Sequence, residues 1–259
     1  MLFGLDDLAV RAYNAAHKRL RHLPRPVIDN PELRAIEDRA HSRQTDISDH
    51  LSTIFCEVLA AHPALIVELG VRDGESRFVL EKAARVGGSV LVSVDLEDCS
   101  QVCSRSPSMF FVQNDDVQFA DQFRQWCAER ELAPAIDVLF IDTSHVYEHT
   151  VQEIRSWFPL LSPRGKVIFH DTNLRRYVRR SDGRIGWAYD NNRGVIRAIE
   201  EYLDTRLNER VDFITIVDEW LIRHWSHCSG LTVLERLSGT AVNGNNSHVA
   251  AKVGGGSRD

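Results

Sequence analysis

Hydrophobic residues follow two kinds of pattern along the chain, and the change between them falls near residue 62. Up to that point they recur at helical spacing. Leu5, Leu8, Ala9, Ala12, Ala15 and Ala16 trace one face of a first helix, with a break at Pro24 and Pro26. Ile47, Leu51, Ile54, Phe55, Val58 and Leu59 trace one face of another over 46–61. Beyond residue 62 the apolar residues come instead in short continuous runs: ALIVELG (64–70), SVLVSVD (89–95), MFFVQND (109–115), IDVLFID (136–142) and GKVIFHD (165–171). Strands buried on both faces read this way. Helical patterns at 76–86, 117–130 and 150–161 lie between most of the runs. The alternation predicts an α/β fold, a doubly wound sheet of about seven strands, mostly parallel, with right-handed crossovers. Two further strand patterns, DFITIVD (212–218) and GLTVLERL (230–237), follow a helix at 194–203 with no helix between them, which predicts an antiparallel finish. The Gly- and Asn-rich stretch 239–259 predicts a disordered tail. Three parts follow: a helical N-terminal extension (1–62), a ligand-binding core (63–238) and the tail (239–259).

Composition acts mainly by exclusion. A formal net charge of −6 argues against a general nucleic-acid binder. No apolar run approaches the ~18 residues that would span a bilayer, so no membrane partner is expected. Asp6 and Asp7 stand where a secretory signal would carry positive charge. The five cysteines are odd in number and show no CxxC spacing, which predicts reduced thiols and a cytoplasmic protein. Only four of the 31 basic residues are lysine, a bias of the kind a GC-rich genome imposes.

Each apolar run in the core ends in an acidic residue: Glu68, Asp95, Asp115, Asp142 and Asp171. Ligands of open α/β sheets bind at that carboxyl edge, so five acids there predict a polar site. The first run leads into ELGVRDGES (68–76). Gly70 permits a tight turn close to a ligand and Gly74 opens the next helix, although Arg72 replaces the second glycine of GxGxxG and an ordinary strand–helix turn is the alternative. Asp95 follows Gly70 by 25 residues, the place from which an acid grips a ribose diol. Together these predict an adenosine-containing cofactor. No tyrosine has lysine four residues on, as a compact nicotinamide reductase would, and no GxxxxGK[ST] loop is present for ATP. The antiparallel finish favours S-adenosylmethionine (SAM), because Rossmann-like methyltransferases end that way.

ELGVRDGES, VDLED and IDTSHVYEHTVQEIRSWFPLLSPRGKVIFHDT resemble class I SAM-dependent methyltransferases that modify sugar hydroxyls. The similarity is to the metal-dependent O-methyltransferases of macrolide and aminocoumarin sugars, and the same core occurs in cephalosporin-hydroxylase-type proteins. It covers roughly 40–240 and is most specific over 136–173. The arginine-rich composition also suits an actinobacterial, for example mycobacterial, enzyme of methylmannose polysaccharide biosynthesis.

The resemblance implies a Rossmann-like core holding SAM through Glu68, Gly70, Gly74, Ser76 and Asp95. Asp115 and Asp116 match the position that receives the adenine amino group, or else cap the helix that follows. A divalent metal, Mg or Mn, is implied at Asp142, His170 and Asp171. The family has two carboxylates at the last pair, and histidine ligates Mn²⁺ far better than Mg²⁺, so His170 is either a ligand or a strand-end histidine beside the metal. His145 matches the general base, with helix capping as its alternative. Tyr147 is implied to position the acceptor or support its loop. The segment 173–194 supplies Arg175, Trp187 and Tyr189 as the side of a saccharide site, or is a solvated loop. The expected partner is a sugar or oligosaccharide acceptor, and the family's N-terminal helices imply a homodimer. Two other functions share the scaffold: a metal-dependent oxygenase, and a SAM-binding protein without turnover.

Overall fold

The apolar runs form the centre of an eight-stranded sheet in the computed structural model, which describes residues 5–20 and 30–237. Pro24, Pro26 and the stretch 239–259 lie outside the described residues. The strands are β1 (Leu65–Leu69), β2 (Val90–Asp95), β3 (Met109–Gln113), β4 (Ile136–Ile141), β5 (Leu161–His170), β8 (Phe213–Val217), β9 (Trp220–Trp225) and β10 (Leu231–Arg236). A separate hairpin pairs β6 (Tyr177–Arg179) with β7 (Ile185–Trp187). The helices are α1 (Leu5–Leu20), α2 (Pro31–Ser42), α3 (Leu51–Ala61), α4 (Glu75–Gly87), α5 (Asp116–Ala128), α6 (Tyr147–Trp157) and α7 (Gly194–Tyr202).

The sheet runs β3-β2-β1-β4-β5-β10-β9-β8, with the first five parallel and the last three antiparallel to their neighbours. This is a Rossmann-like doubly wound architecture with an antiparallel finish. Leu69 is level with Val94 and Ile141, and Ile141 with Phe169. That register brings Gly70, Asp95, Asp142 and Asp171 to one edge, at the point between β1 and β4 where strand order reverses.

Successive residues of a strand face opposite ways, and each face has its own helical layer. Val67, Leu69, Val92, Val94, Leu139, Ile141, Val167 and Phe169 pack with Phe119 and Phe123 of α5, Trp157 of α6 and Ile196 and Ile199 of α7. Ile66, Leu91, Val138, Phe140 and Ile168 pack with Ile36 of α2, Leu51, Ile54 and Val58 of α3 and Val79 and Leu80 of α4. The helices at 31–61 are therefore one of the two layers that bury the sheet. Asn30 starts α2 by accepting hydrogen bonds from the Glu32 and Leu33 amides at 2.9 and 3.0 Å.

The finish differs in detail from the sequence expectation. Eight strands form the sheet rather than about seven, and β9 stands between the two runs expected to pair with each other. Trp220, Ile222 and His224 are buried and alternate with partly exposed Leu221, Arg223 and Trp225. Arg223 and His224 interrupt the apolar run, yet both are paired: Arg223 bridges Glu57 and Glu235, and the His224 ring lies against the Thr232 hydroxyl and the Glu209 carbonyl.

Candidate active site

A cleft of about 370 Å³ opens at the strand reversal, lined by Gly70, Arg72, Asp95, Leu96, Asp115, Asp116, Asp142, Thr143, Ser144 and His149 among others. Gly70 has φ +86°, and a Cβ there would lie 2.1 Å from the Asp142 carbonyl, so the chain leaving β1 can pass this close to the end of β4 only with glycine. Asp95 Oδ2 accepts hydrogen bonds from the Val71 and Arg72 amides at 2.7 and 3.0 Å, and its Oδ1 accepts from the Glu97 amide at 2.9 Å. The carboxylate thus shapes the glycine turn while lining the cleft. Asp115 caps α5, accepting from the Gln118 amide at 2.9 Å, and also lines the cleft. Of the two roles the sequence left open for it, the capping role is the one seen.

Glu68, Gly74 and Ser76 do not line the cleft. Glu68 has no exposed surface and accepts from the Ser76 hydroxyl at 2.6 Å and from the Ser93 hydroxyl, with Arg77 close by. Burial pushes its pKa up to about 7, against the pull of Arg77. Glu68 lies within β1, a strand whose five residues are all buried, and its carboxylate is taken up by Ser76 and Ser93. Gly74 precedes α4 at φ +76°, with Val102 against it.

Beside the cleft, Asp142, His170 and Asp171 offer ligand atoms within 4.8 Å of one another. His145 lies between the carboxylates, its Nε2 3.0 Å from Asp142 Oδ1 and 2.9 Å from Asp171 Oδ2, and its Nδ1 meets the Tyr189 hydroxyl. His170 Nδ1 is 3.2 Å from Asp142 and 3.3 Å from Asp171. Burial alone would lower the pKa of His145, but its hydrogen bonds to both carboxylates outweigh this and push it up to about 11. His170 is raised well above the usual imidazole range, because Asp171 and Asp142 outweigh its burial. Asp142 and Asp171 are held below the usual carboxylate range despite burial, His170 being the larger attraction for each. The donor set fits a divalent cation. Two carboxylates and an imidazole converge, and His170 Nε2 and Asp171 Oδ1 are buried without a hydrogen-bond partner.

The predicted acceptor residues scatter. Tyr189 reaches the cluster through His145. The Tyr147 hydroxyl bonds Glu201 and its ring lies under Arg197, beside α7 and away from the cleft. The Arg175 guanidinium is tied to Asn173 at 3.2 Å and Glu209 at 2.8 Å. Trp187 is 48% exposed on β7 and donates to Asp7 at 3.0 Å. The segment 173–194 is thus a hairpin pinned to α1 rather than a free loop.

Four residues that sequence reasoning passed over hold the loop from Asp142 to His145. The Thr143 hydroxyl donates to Glu153 at 2.6 Å, and Ser144 Oγ lies 2.7 Å from His149 Nδ1. His149 Nε2 lies 3.0 Å from Asp116, which turns that carboxylate toward α6. Glu153 is fully buried, and burial first, then its hydrogen bond to Asp116, raises its pKa well above the usual carboxylate range. Asp116 Oδ2 and Glu153 Oε2 lack other partners, so a proton on Glu153 shared with Asp116 satisfies both. The acidic positions were visible in the sequence; their meeting across two helices was not.

Residues 67–172 match the family profile described as a methyltransferase domain, a span that begins in β1 and ends just past Asp171. Among curated proteins, uncharacterized protein y4gI of Sinorhizobium fredii is 40% identical over 43 residues, which is 17% of this chain and 5% of that protein. Among solved structures, MycE methyltransferase from the mycinamycin biosynthetic pathway, in complex with Mg and SAH, has a TM-score of 0.50 at 16% identity. The match covers 80% of this chain and 55% of MycE, so the chain spans about half the length of that protein. The SAH-bound methyltransferase PaMTH1 of Podospora anserina has a TM-score of 0.50 at 14% identity, covering 91% of this chain and 98% of its own. These likenesses show a shared fold.

Proposed function

We propose that the protein transfers a methyl group from SAM to a sugar hydroxyl, with a divalent metal, Mn or Mg, assisting and His145 accepting the proton. The observation that carries this reading is His145 set between Asp142 and Asp171, against Tyr189, at the edge of the Gly70 cleft. The methyltransferase-domain match spans that cleft and the Asp142–Asp171 cluster. MycE, of the same fold, was solved with Mg and SAH.

In this reading Gly70, Asp95 and Asp115 border the nucleoside of SAM. Asp142, His170 and Asp171 would hold the divalent ion, which supplies a Lewis acid that makes a bound hydroxyl more acidic. SAM bound in the cleft would supply the methyl group on its sulfonium for in-line transfer to the acceptor oxygen, with S-adenosylhomocysteine as the released product. With Asp142 and Asp171 engaged by the ion, the attraction that keeps His145 protonated would be relieved, and its neutral ring, oriented by Tyr189, would take the hydroxyl proton. The proposal includes a cytoplasmic setting and a homodimer; sedimentation tests the latter.

The deciding experiment is methyl transfer from labelled SAM to a panel of saccharides, with and without EDTA. Transfer that EDTA abolishes and added Mn²⁺ restores is expected. His145→Ala should keep S-adenosylhomocysteine binding and lose about 10²–10⁴-fold in turnover. Full activity in EDTA would remove the metal from the reading, and near wild-type turnover by His145→Ala would remove the base.

A further inference from the structure

A second groove, about 440 Å³, lies between the segment that leaves β5 and the turn joining β9 to β10. Arg175, Arg179, Arg210 and His227 line it, with Asn173 and Ser226 as neutral polar groups, and no carboxylate is among the lining residues. The acids that flank Arg210 in the chain are already engaged. Glu209 accepts from Arg175 at 2.8 Å and Arg193 at 2.9 Å, and Asp212 accepts from the Ser226 amide and hydroxyl, both at 2.7 Å. Arg179 and Arg210 are exposed, and among the described residues neither guanidinium has an ion-pair or hydrogen-bond partner. Tyr177, also in the lining, has a buried hydroxyl with no partner. Two unpaired guanidiniums on one small concavity repel each other until an anion lies between them. Their planar forks match the oxygens of phosphate and carboxylate.

The groove backs onto the Asp142–Asp171 cluster through buried side chains. The His227 ring on its wall is 4.6 Å from the His50 ring, which in turn meets His170 edge-on at 5.9 Å. Asn173, two residues beyond Asp171, donates to the Ser226 carbonyl at 2.7 Å and so joins the groove to the end of β5. A volume of about 440 Å³ falls in the range of small-ligand sites.

We infer that this groove is an oxyanion subsite for the acceptor: the saccharide carries a phosphate or carboxylate, which Arg179 and Arg210 clamp. The inference rests on the function proposed above and names the substrate class, an anionic saccharide. Phosphomonoesters, the diphosphate of a nucleotide-linked sugar and the carboxylate of a uronic acid share the chemistry the groove offers.

The test is calorimetric titration of the full chain, without divalent metal and at low salt, with inorganic pyrophosphate, inorganic phosphate and glucuronate as separate probes. At least one should bind with a Kd on the order of a millimolar or tighter. The affinity should weaken as salt rises and should fall about tenfold or more in the Arg179→Ala/Arg210→Ala double variant. Preference for a phosphate probe assigns a phosphorylated acceptor, and preference for glucuronate assigns a uronic acid. No binding of any probe at about 20 mM, or equal affinity in the double variant, overturns the subsite. S-adenosylhomocysteine titrated into the same proteins separates the two readings. Its failure to bind the unaltered chain would undo the methyltransferase proposal while leaving the anion titration to decide the groove.

Discussion

Glu68 sits with no exposed surface among Ser76, Ser93 and Arg77, and burial raises its pKa from 4.5 to about 7. A raised folded-state pKa means that the folded protein holds the proton more tightly than the unfolded chain. The resulting stability is fully present below about pH 4.5 and is lost as pH rises through about 7. A shift of that size corresponds to a few kcal/mol, about 3 at most. Glu68→Gln keeps the shape without the titration. Denaturant unfolding at pH 4.5 and pH 8 should therefore show wild type losing roughly 3 kcal/mol relative to the variant across that interval. Parallel pH slopes for the two proteins would show that Glu68 does not hold its proton in the fold. Asp95 poses a different single-residue question, because its carboxylate organises three backbone amides as well as facing the cleft. Asp95→Ala should thus lower both S-adenosylhomocysteine affinity and stability, by about 1–3 kcal/mol each. Lost affinity with an unchanged unfolding midpoint would mean that the turn does not depend on it.

Among the elements, the loop from Asp142 to His145 decides where the proposed base stands, and two helices fix it from below. Helix α6 pins it through Glu153 and His149, and α7 abuts it at Gly194, where a Cβ would lie 2.5 Å from the His145 carbonyl and 3.0 Å from the Tyr147 amide. Gly194→Ala must push that loop away. The expected result is a fall in turnover with S-adenosylhomocysteine affinity retained, and a stability loss of about 1–3 kcal/mol. Unchanged kcat would mean that the loop tolerates the shift. Continuous runs such as IDVLFID announce buried parallel strands because both faces of the sheet are covered, and their acidic ends gather at one edge. The meeting of Asp142 and Asp171 at one edge was therefore legible, while His145 came from the family resemblance. Gly194 was not legible, since its close approach to His145 joins segments 49 residues apart in sequence. The same holds for Thr143 with Glu153, and for β9, whose Arg223 and His224 conceal its alternation until their partners are known. Glu68 misled for the opposite reason: it is acidic and near the strand end, but one position short of the edge.

On the scale of the whole molecule, α1 does not touch the cleft yet grips the hairpin that leads to the proposed base. Asn14 mimics a neighbouring strand, donating to the Ile185 carbonyl at 2.8 Å and accepting from the Ile185 amide at 2.9 Å. Tyr13 donates to the Gly183 carbonyl at 3.3 Å, and His17 Nε2 lies 2.6 Å from the Asp182 carbonyl. The hairpin has only three cross-strand pairs, and a lone two-stranded hairpin is at best marginally stable in water. From its other side Arg180 reaches the Thr45 carbonyl at 2.7 Å and the Ser48 hydroxyl at 2.8 Å, so the hairpin is held between α1 and the segment before α3. Two residues past β7, Tyr189 bonds His145. The strand-built cleft around Gly70 and Asp95 draws nothing from this arrangement. Removal of residues 1–29 should therefore split the two halves of the site. Amide exchange across 183–187 should quicken and turnover should drop as Tyr189 loses its anchor, while calorimetry gives the same S-adenosylhomocysteine affinity as the full chain. Unaltered exchange at Ile185 would show that the contacts from the segment before α3 suffice to hold the hairpin. Loss of S-adenosylhomocysteine binding would show instead that α1 supports the core as a whole.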